Sequence, residues 1–250
     1  MQLQQPLANA SSRPGANRLS TSGVSSDRVA LVQRYALFCD IPPSECAAIL
    51  AGAHERHFMR RQMLFMAGDP VRQTLLLIAG YVKITRAGQN GSEVILRLKG
   101  PGESVGVMGC TRGEYSASAQ ALDNCTALGW DAAAFEALAD RYPLLRRNMM
   151  RILEARLQEM DTRFREISTE KVSARLSSEI LRLVNQIGKR TTGYVEISLS
   201  REQLAQLTGT TLFTVSRLLC RWELEGIVSA RRESVLVHNL QALDQLSRQE

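Results

Sequence analysis

Six apolar residues, Met150, Leu153, Leu157, Met160, Phe164 and Ile167, follow one another at spacings of 3, 4, 3, 4 and 3. That alternation averages about 3.5 residues, so all six fall on one stripe of an α-helix. Arg151, Glu154, Arg156 and Glu159 lie between them and keep the other faces in water. A stripe of this period fits a second helix better than the surface of its own domain. The expectation is a helix over residues 134–168 that joins two copies of the chain as a homodimer through those six positions. Such a spine leaves room for one domain before it and another after it.

The chain has 250 residues, 44% of them hydrophobic, which is enough to build cores and speaks against a disordered or fibrous protein. Its 31 Lys and Arg outnumber 25 Asp and Glu, a modest excess that suits a polyanionic partner. No apolar run reaches the roughly 18 residues of a membrane span, and the start lacks the charged-then-apolar order of a secretory signal. A soluble, cytoplasmic protein with no membrane partner is expected. Cys39, Cys46, Cys110, Cys125 and Cys220 are odd in number and scattered, as reduced thiols are. None has a nearby His or an activating context, so an enzyme with a cysteine nucleophile is not expected.

Residues 1–27 are rich in Ser, Asn, Gln, Gly and Pro and read as a mobile tail. Residues 28–133 read as a first domain. In it, apolar residues at helical spacings around Pro42 and Pro43 suggest two small helices. Short β-rich runs such as TLLLIAGYVKIT and SEVILRLKG then alternate with turn signals between His54 and Trp130, the pattern of an antiparallel sandwich or roll. After the long helix, Ser168 and Thr169 offer hydroxyl caps for a helix whose apolar face runs Val172, Leu176, Ile180, Leu183, Val184 and Ile187. Residues 169–250 form a second domain, ending in a hairpin in which IVSA and SVLVH flank Arg231, Arg232 and Glu233. The fold class is α+β.

The sharpest local signals lie in that second domain. Ser200 and Gln203 make a capping-box pair that opens the helix REQLAQLT, Gly209 turns the chain, and Thr211 caps another helix. Leu204, Leu207, Val215, Leu218, Leu219 and Trp222 supply the core that sets the two helices across each other, as in a helix-turn-helix. The second helix of that motif lies in the DNA major groove, so Leu212, Phe213, Ser216 and Arg217, on one side of it, are candidate base readers.

The segments SREQLAQLTGTT and TVSRLL, supported by LLLIAGYVKI, KGPGESVG and STEKVSARLSSEILRL, resemble the family of the cyclic-AMP receptor protein and the fumarate and nitrate reduction regulator (CRP/FNR). The likeness extends over residues 29–240 or so. It implies a cyclic-nucleotide-binding-like roll, a dimerisation helix and a winged helix-turn-helix, in a homodimeric activator that reads palindromic double-stranded DNA. It also implies phosphate contact at Arg201, groove contacts around Thr210 and Thr211, a guanine read by Arg217, and RNA polymerase as a partner of the loop at 188–194. Phe213 stands where many members carry a Glu that reads cytosine, and Leu212 where the cyclic-AMP receptor protein carries an Arg. Two apolar side chains there point to thymine methyl groups instead.

The sensor cassette departs from the resemblance as well. Its ligand positions map to Gly106, Val107, Met108, Tyr115 and Ser116. Val107 stands at the Glu that holds a ribose, and Tyr115 at the Arg that holds a cyclic phosphate. Neither can replace those contacts, so cyclic nucleotide is disfavoured. The family's iron–sulfur cluster would have to draw on Cys39, Cys46, Cys110 and Cys125, which do not share the expected N-terminal grouping. Haem stays open, with His54, His57 or a Met as ligand. The signal is not named by the sequence, and a sensor module without DNA binding is the alternative.

Overall fold

The computed structural model describes residues 25–88, 91–106 and 113–248. The expected tail falls outside them except at its end, where the boundary needs correction. The Ser25 hydroxyl accepts the Arg28 N–H and starts helix α1 (Ser26–Val32). A single 3-10 turn, Ala36–Phe38, and α2 (Pro43–Leu50) follow, with Pro43 in the first turn, where a missing N–H costs nothing. Val32, Leu37, Phe38, Cys46 and Ile49 pack there with Trp130 and Phe135. The Trp130 indole N–H donates to the Ile49 carbonyl at 2.9 Å.

The strands close into a roll of two antiparallel sheets. One runs β1 (His54–Phe58), β8 (Cys125–Asp131), β3 (Gln73–Ala79), β6 (Ser104–Val105); the other runs β2 (Met63–Phe65), β7 (Ser118–Ala121), β4 (Val82–Ala87), β5 (Glu93–Lys99). Leu75, Leu77, Val82, Ile84, Ala119 and Ala127 fill the space between them. Gly80 makes the β3–β4 turn at φ +81, where a Cβ would come 2.5 Å from the Asn124 carbonyl oxygen, so only glycine fits.

The single helix expected over residues 134–168 is two. Helix α3 (Ala132–Arg141) stops at Tyr142, and α4 (Pro143–Thr169) starts at Pro143. Pro143 pushes the residue before it out of the helical region, and Tyr142 sits at φ −116, ψ 92. The seam lies entirely on α4. Met150, Leu157, Met160, Phe164 and Ile167 are 55–73% exposed, and Leu153 is half-buried.

Ser168 and Thr169 close α4 rather than open the next helix. Their hydroxyls donate back to the carbonyls of Phe164 and Arg165, both at 2.8 Å, a bond each side chain makes within its own helix. The chain turns at Glu170, and α5 (Val172–Gln186) begins after Lys171. Then come β9 (Lys189–Thr191), β10 (Tyr194–Ile197), α6 (Arg201–Thr208), α7 (Leu212–Leu224), β11 (Val228–Ala230), β12 (Val235–Val237) and α8 (Leu240–Ser247). The small sheet is ordered β11, β12, β10, β9. Ile95 and Leu98 of β5 are buried in the same cluster as Leu176, Ile180 and Leu183 of α5, so roll and second domain share one core.

Candidate nucleic-acid interface and sensor pocket

The two crossed helices owe their angle to short-range chemistry. The Ser200 hydroxyl accepts the Gln203 N–H while the Gln203 side chain accepts the Ser200 N–H, a complete capping box at the start of α6. Gly209 ends α6 in the left-handed region at φ 61, ψ 42, which a side chain adopts only with strain. The Thr211 hydroxyl then accepts the Thr214 N–H and starts α7. Val215, Leu219 and Trp222 are buried beneath α7, with Leu218 partly buried beside them.

On the outer side of α7, Phe213 is 75% exposed and Leu212 51% exposed. Arg217 is exposed on the same helix, and Ser216 is half-buried. Thr211 is exposed and Thr210 half-buried. Two large apolar groups in water beside a cation are what a contact surface leaves open, because core demand does not explain them. Arg201 is arranged otherwise. It is half-buried, donates to the Ala230 carbonyl at 3.3 Å, and so ties α6 to the wing strand β11. Its Nε–H has no partner among the described residues. Arg231 and Arg232, in the β11–β12 turn, are exposed beside this surface, although motif matching did not single them out as contacts.

Helices α5 and α6 are tied back to the end of α4, and the wing turn to the roll. Glu166 takes both terminal nitrogens of Arg182, at 2.8 and 2.9 Å, and Arg182 also donates to Glu179 at 2.8 Å. Burial works against the Arg182 charge, but the two carboxylates outweigh it and raise its pKa. Arg175 donates to the Glu170 carbonyl at 2.9 Å and to the Thr208 carbonyl at 3.4 Å, joining the α4–α5 turn to the end of α6. At the far edge, Arg60 of the roll pairs with Glu233 of the wing turn at 3.3 Å.

In the roll, Gly106 takes φ +99, and Tyr115 is 4% exposed. The Tyr115 ring stacks on Phe65 with centroids 3.7 Å apart, and its hydroxyl donates to the Gln73 carbonyl at 2.9 Å. Burial raises its pKa, so it stays a neutral phenol. The ring therefore fills space rather than reaching toward a phosphate. Ser116 is exposed at the rim, while Val107 and Met108 lie outside the described residues. A cavity of about 80 Å³ lies beside Tyr115, and Arg97, Lys99 and Arg156 line it. These three come from β5 and α4, too far apart in sequence for spacing to have revealed them.

The candidate metal ligands among the described residues do not converge. Cys46 and Cys125 are buried, in separate cores, Cys39 and Cys220 are exposed, and Cys110 lies outside the described residues. His54 and His57 are exposed on β1. Among the described residues no three His, Cys, Asp or Glu side chains form a metal-binding group. No helix among them is long and apolar enough to cross a membrane.

This geometry is matched by known proteins. The profile of the cyclic nucleotide-binding domain matches residues 55–142, and that of the Crp-like helix-turn-helix domain matches residues 174–246. The cyclic AMP receptor protein of Thermus thermophilus is 30% identical over 213 residues, 84% of this chain and 96% of that one. The CRP-like cAMP-activated global transcriptional regulator of Mycobacterium tuberculosis is 26% identical over 222 residues, 87% of this chain and 99% of that one. The c-di-GMP responsive global regulator CLP of Xanthomonas campestris has the same fold, with a TM-score of 0.71 at 21% identity over 79% of this chain and 100% of that one. An exposed recognition helix on a winged domain, joined by a long helix to a cyclic-nucleotide-type roll, thus comes with relatives of the same layout, and the chain belongs to the CRP/FNR family of DNA-binding transcription regulators.

Proposed function

We propose that the protein acts as a cytoplasmic homodimer that reads a palindromic DNA site through α7 and answers to a signal in the roll other than cyclic AMP. The observation that carries the DNA reading is the outward face of α7, where Phe213, Leu212 and Arg217 stand free beside a wing bearing Arg231 and Arg232. Arg217 bridges the O6 and N7 acceptors of a guanine, and Phe213 covers a thymine methyl. The apolar seam supports the dimer. It continues from Met160, Phe164 and Ile167 onto Val94 and Leu96 of β5, around an apolar groove of about 290 Å³ that a second α4 would cover. Two recognition helices related by that axis meet two half-sites. The turn between β9 and β10 is exposed at Thr192 and Gly193 and is the surface offered to RNA polymerase in an activator.

The Tyr115–Phe65 stack supports a signal other than cyclic AMP, because it leaves about 80 Å³, far below the roughly 300 to 1,000 Å³ of sites for drug-sized ligands. The names of the Thermus and Mycobacterium relatives favour a second reading, a cyclic-AMP-responsive regulator. Calorimetry with cyclic AMP separates the two. No saturable heat is expected, whereas a Kd below about 100 μM would establish the second reading. A gel shift at rising salt tests DNA binding itself, and affinity is expected to fall steeply as counterion release loses its advantage.

A further inference from the structure

Three cationic side chains meet at one cavity of the roll. Arg97 and Lys99 lie two residues apart on β5 and so share a strand face, and Arg156 reaches over from α4. Lys99 is 7% exposed and pairs with Glu103 at 2.6 Å. Arg156 donates to the carbonyl and hydroxyl of Ser104 at 3.1 and 3.2 Å, yet its buried Nε–H has no partner among the described residues. Arg97 takes part in none of the ion pairs among the described residues. Glu159, the other carboxylate acting on Arg156, is held by Arg163 at 3.2 Å. Positive charge is therefore in excess around a space that is partly dry.

Like charges gathered in low dielectric repel unless an anion joins them. Burial lowers the pKa of Lys99, and Arg156 and Arg97 add to that effect against the pull of Glu103. Burial and Arg97 act the same way on Arg156. Anchoring α4 to the roll would need only the Arg156–Ser104 contact; it gives no reason for Arg97 and Lys99 to face the same cavity.

We propose that this cavity binds a compact, doubly charged oxyanion, a phosphate or a small dicarboxylate, held by Arg97, Lys99 and Arg156. This rests on the roll being the sensor domain. The forked guanidinium groups match planar carboxylates and phosphate oxygens, and Lys99 supplies a point charge between them. About 80 Å³ is room for such an anion and is well below the roughly 300 to 1,000 Å³ of sites for drug-sized ligands. Arg156 sits one residue before Leu157 of the seam, so occupancy pulls on the helix that carries the dimer contact.

Calorimetry and thermal unfolding of the full chain test this, with sodium phosphate and sodium succinate as probes and chloride at matched ionic strength as control. At least one probe is expected to bind saturably and to raise the Tm, and the stronger one identifies the head group. Arg97→Gln removes a half-exposed side chain with no hydrogen bond or ion pair among the described residues, so its Tm without anion should match the wild type while its anion affinity drops about tenfold or more. Arg156→Gln should weaken binding similarly, and Arg28→Gln, outside the cavity, should leave it unchanged. No saturable binding of either probe up to about 10 mM, or equal binding by wild type and Arg97→Gln, would overturn the proposal. Gel shifts on the same samples separate the two failures: DNA binding without anion binding rejects the cavity alone, and loss of both rejects the regulator reading as well.

Discussion

Leaving Phe213 75% exposed forgoes most of the roughly 1.5 to 3 kcal/mol that burying such a side chain provides, and the same fold could have taken a polar residue there at no cost. On the proposed reading, that exposure serves contact in a DNA groove. The same reading gives base recognition to Arg217 and phosphate contact to Arg201, and their environments differ in a way that mutation reads out. Arg217→Ala is expected to cost about 1 to 3 kcal/mol on the preferred site and to flatten discrimination at one base pair. Arg201→Ala should weaken all sequences alike and lower the salt slope by about one, and its lost bond to Ala230 should also loosen the wing. Two variants with the same binding profile would remove the distinction. The thiols give a separate check. Burial, with Asp123 beside it, pushes the Cys125 thiol up to about 12, so iodoacetamide at pH 8 should label the exposed Cys39 and Cys220 and spare Cys125 until the chain unfolds. Peptide mapping that found Cys125 labelled early would contradict its burial. At this scale the caps Ser200 and Thr211 were legible in the sequence, because each acts within three residues of itself. Arg97, Lys99 and Arg156 were not, because only the closed roll brings β5 to α4.

Helix α4 shows where period and breakers give different information. The seam follows from spacing alone, yet its helix begins at Pro143 because a proline resets the residue before it, and it runs through Thr169, whose hydroxyl bonds backward within the helix, until Glu170 turns extended at φ −100, ψ 147. Reading Ser168 and Thr169 as caps of the next helix failed for that reason: both directions are open to a hydroxyl until the backbone chooses. Leu157→Lys puts a charge into the seam, where burial of six apolar side chains is worth about 25 cal/mol per Å². Sedimentation at low micromolar concentration should then show a monomer, and a persistent dimer would count against α4 as the contact. The ion pair at the α4–α5 junction behaves differently. Glu166→Gln leaves Arg182 with Glu179 alone, and since the Arg182 side chain is 38% exposed, water compensates in part. A loss of about 1 to 3 kcal/mol in urea unfolding is expected, below the full cost of orphaning a buried charge.

At the scale of the molecule, β5 belongs to two structures. Ile95 and Leu98 are 1% and 4% exposed in the core of the DNA-binding domain, while Arg97 and Lys99 line the cavity of the roll. The order of roll, helix and winged domain was legible because each has its own hydrophobic period. That one strand serves both domains was not, since alternation along EVILRLK tells two faces apart without saying what covers either. Leu98→Ala should therefore destabilise both domains together, by about 2 to 5 kcal/mol, as one unfolding transition of the whole chain; two transitions would show that the domains fold apart. Recognition by α7 is the claim on which the biological role turns. Selection from a randomised palindromic half-site, run with the wild-type protein and with Phe213→Glu, tests it most directly. The wild type should recover guanine opposite Arg217 with thymine at the neighbouring pair, and Phe213→Glu should shift that pair toward C·G by about 1 to 3 kcal/mol. Identical motifs from the two proteins would contradict contact between Phe213 and the bases.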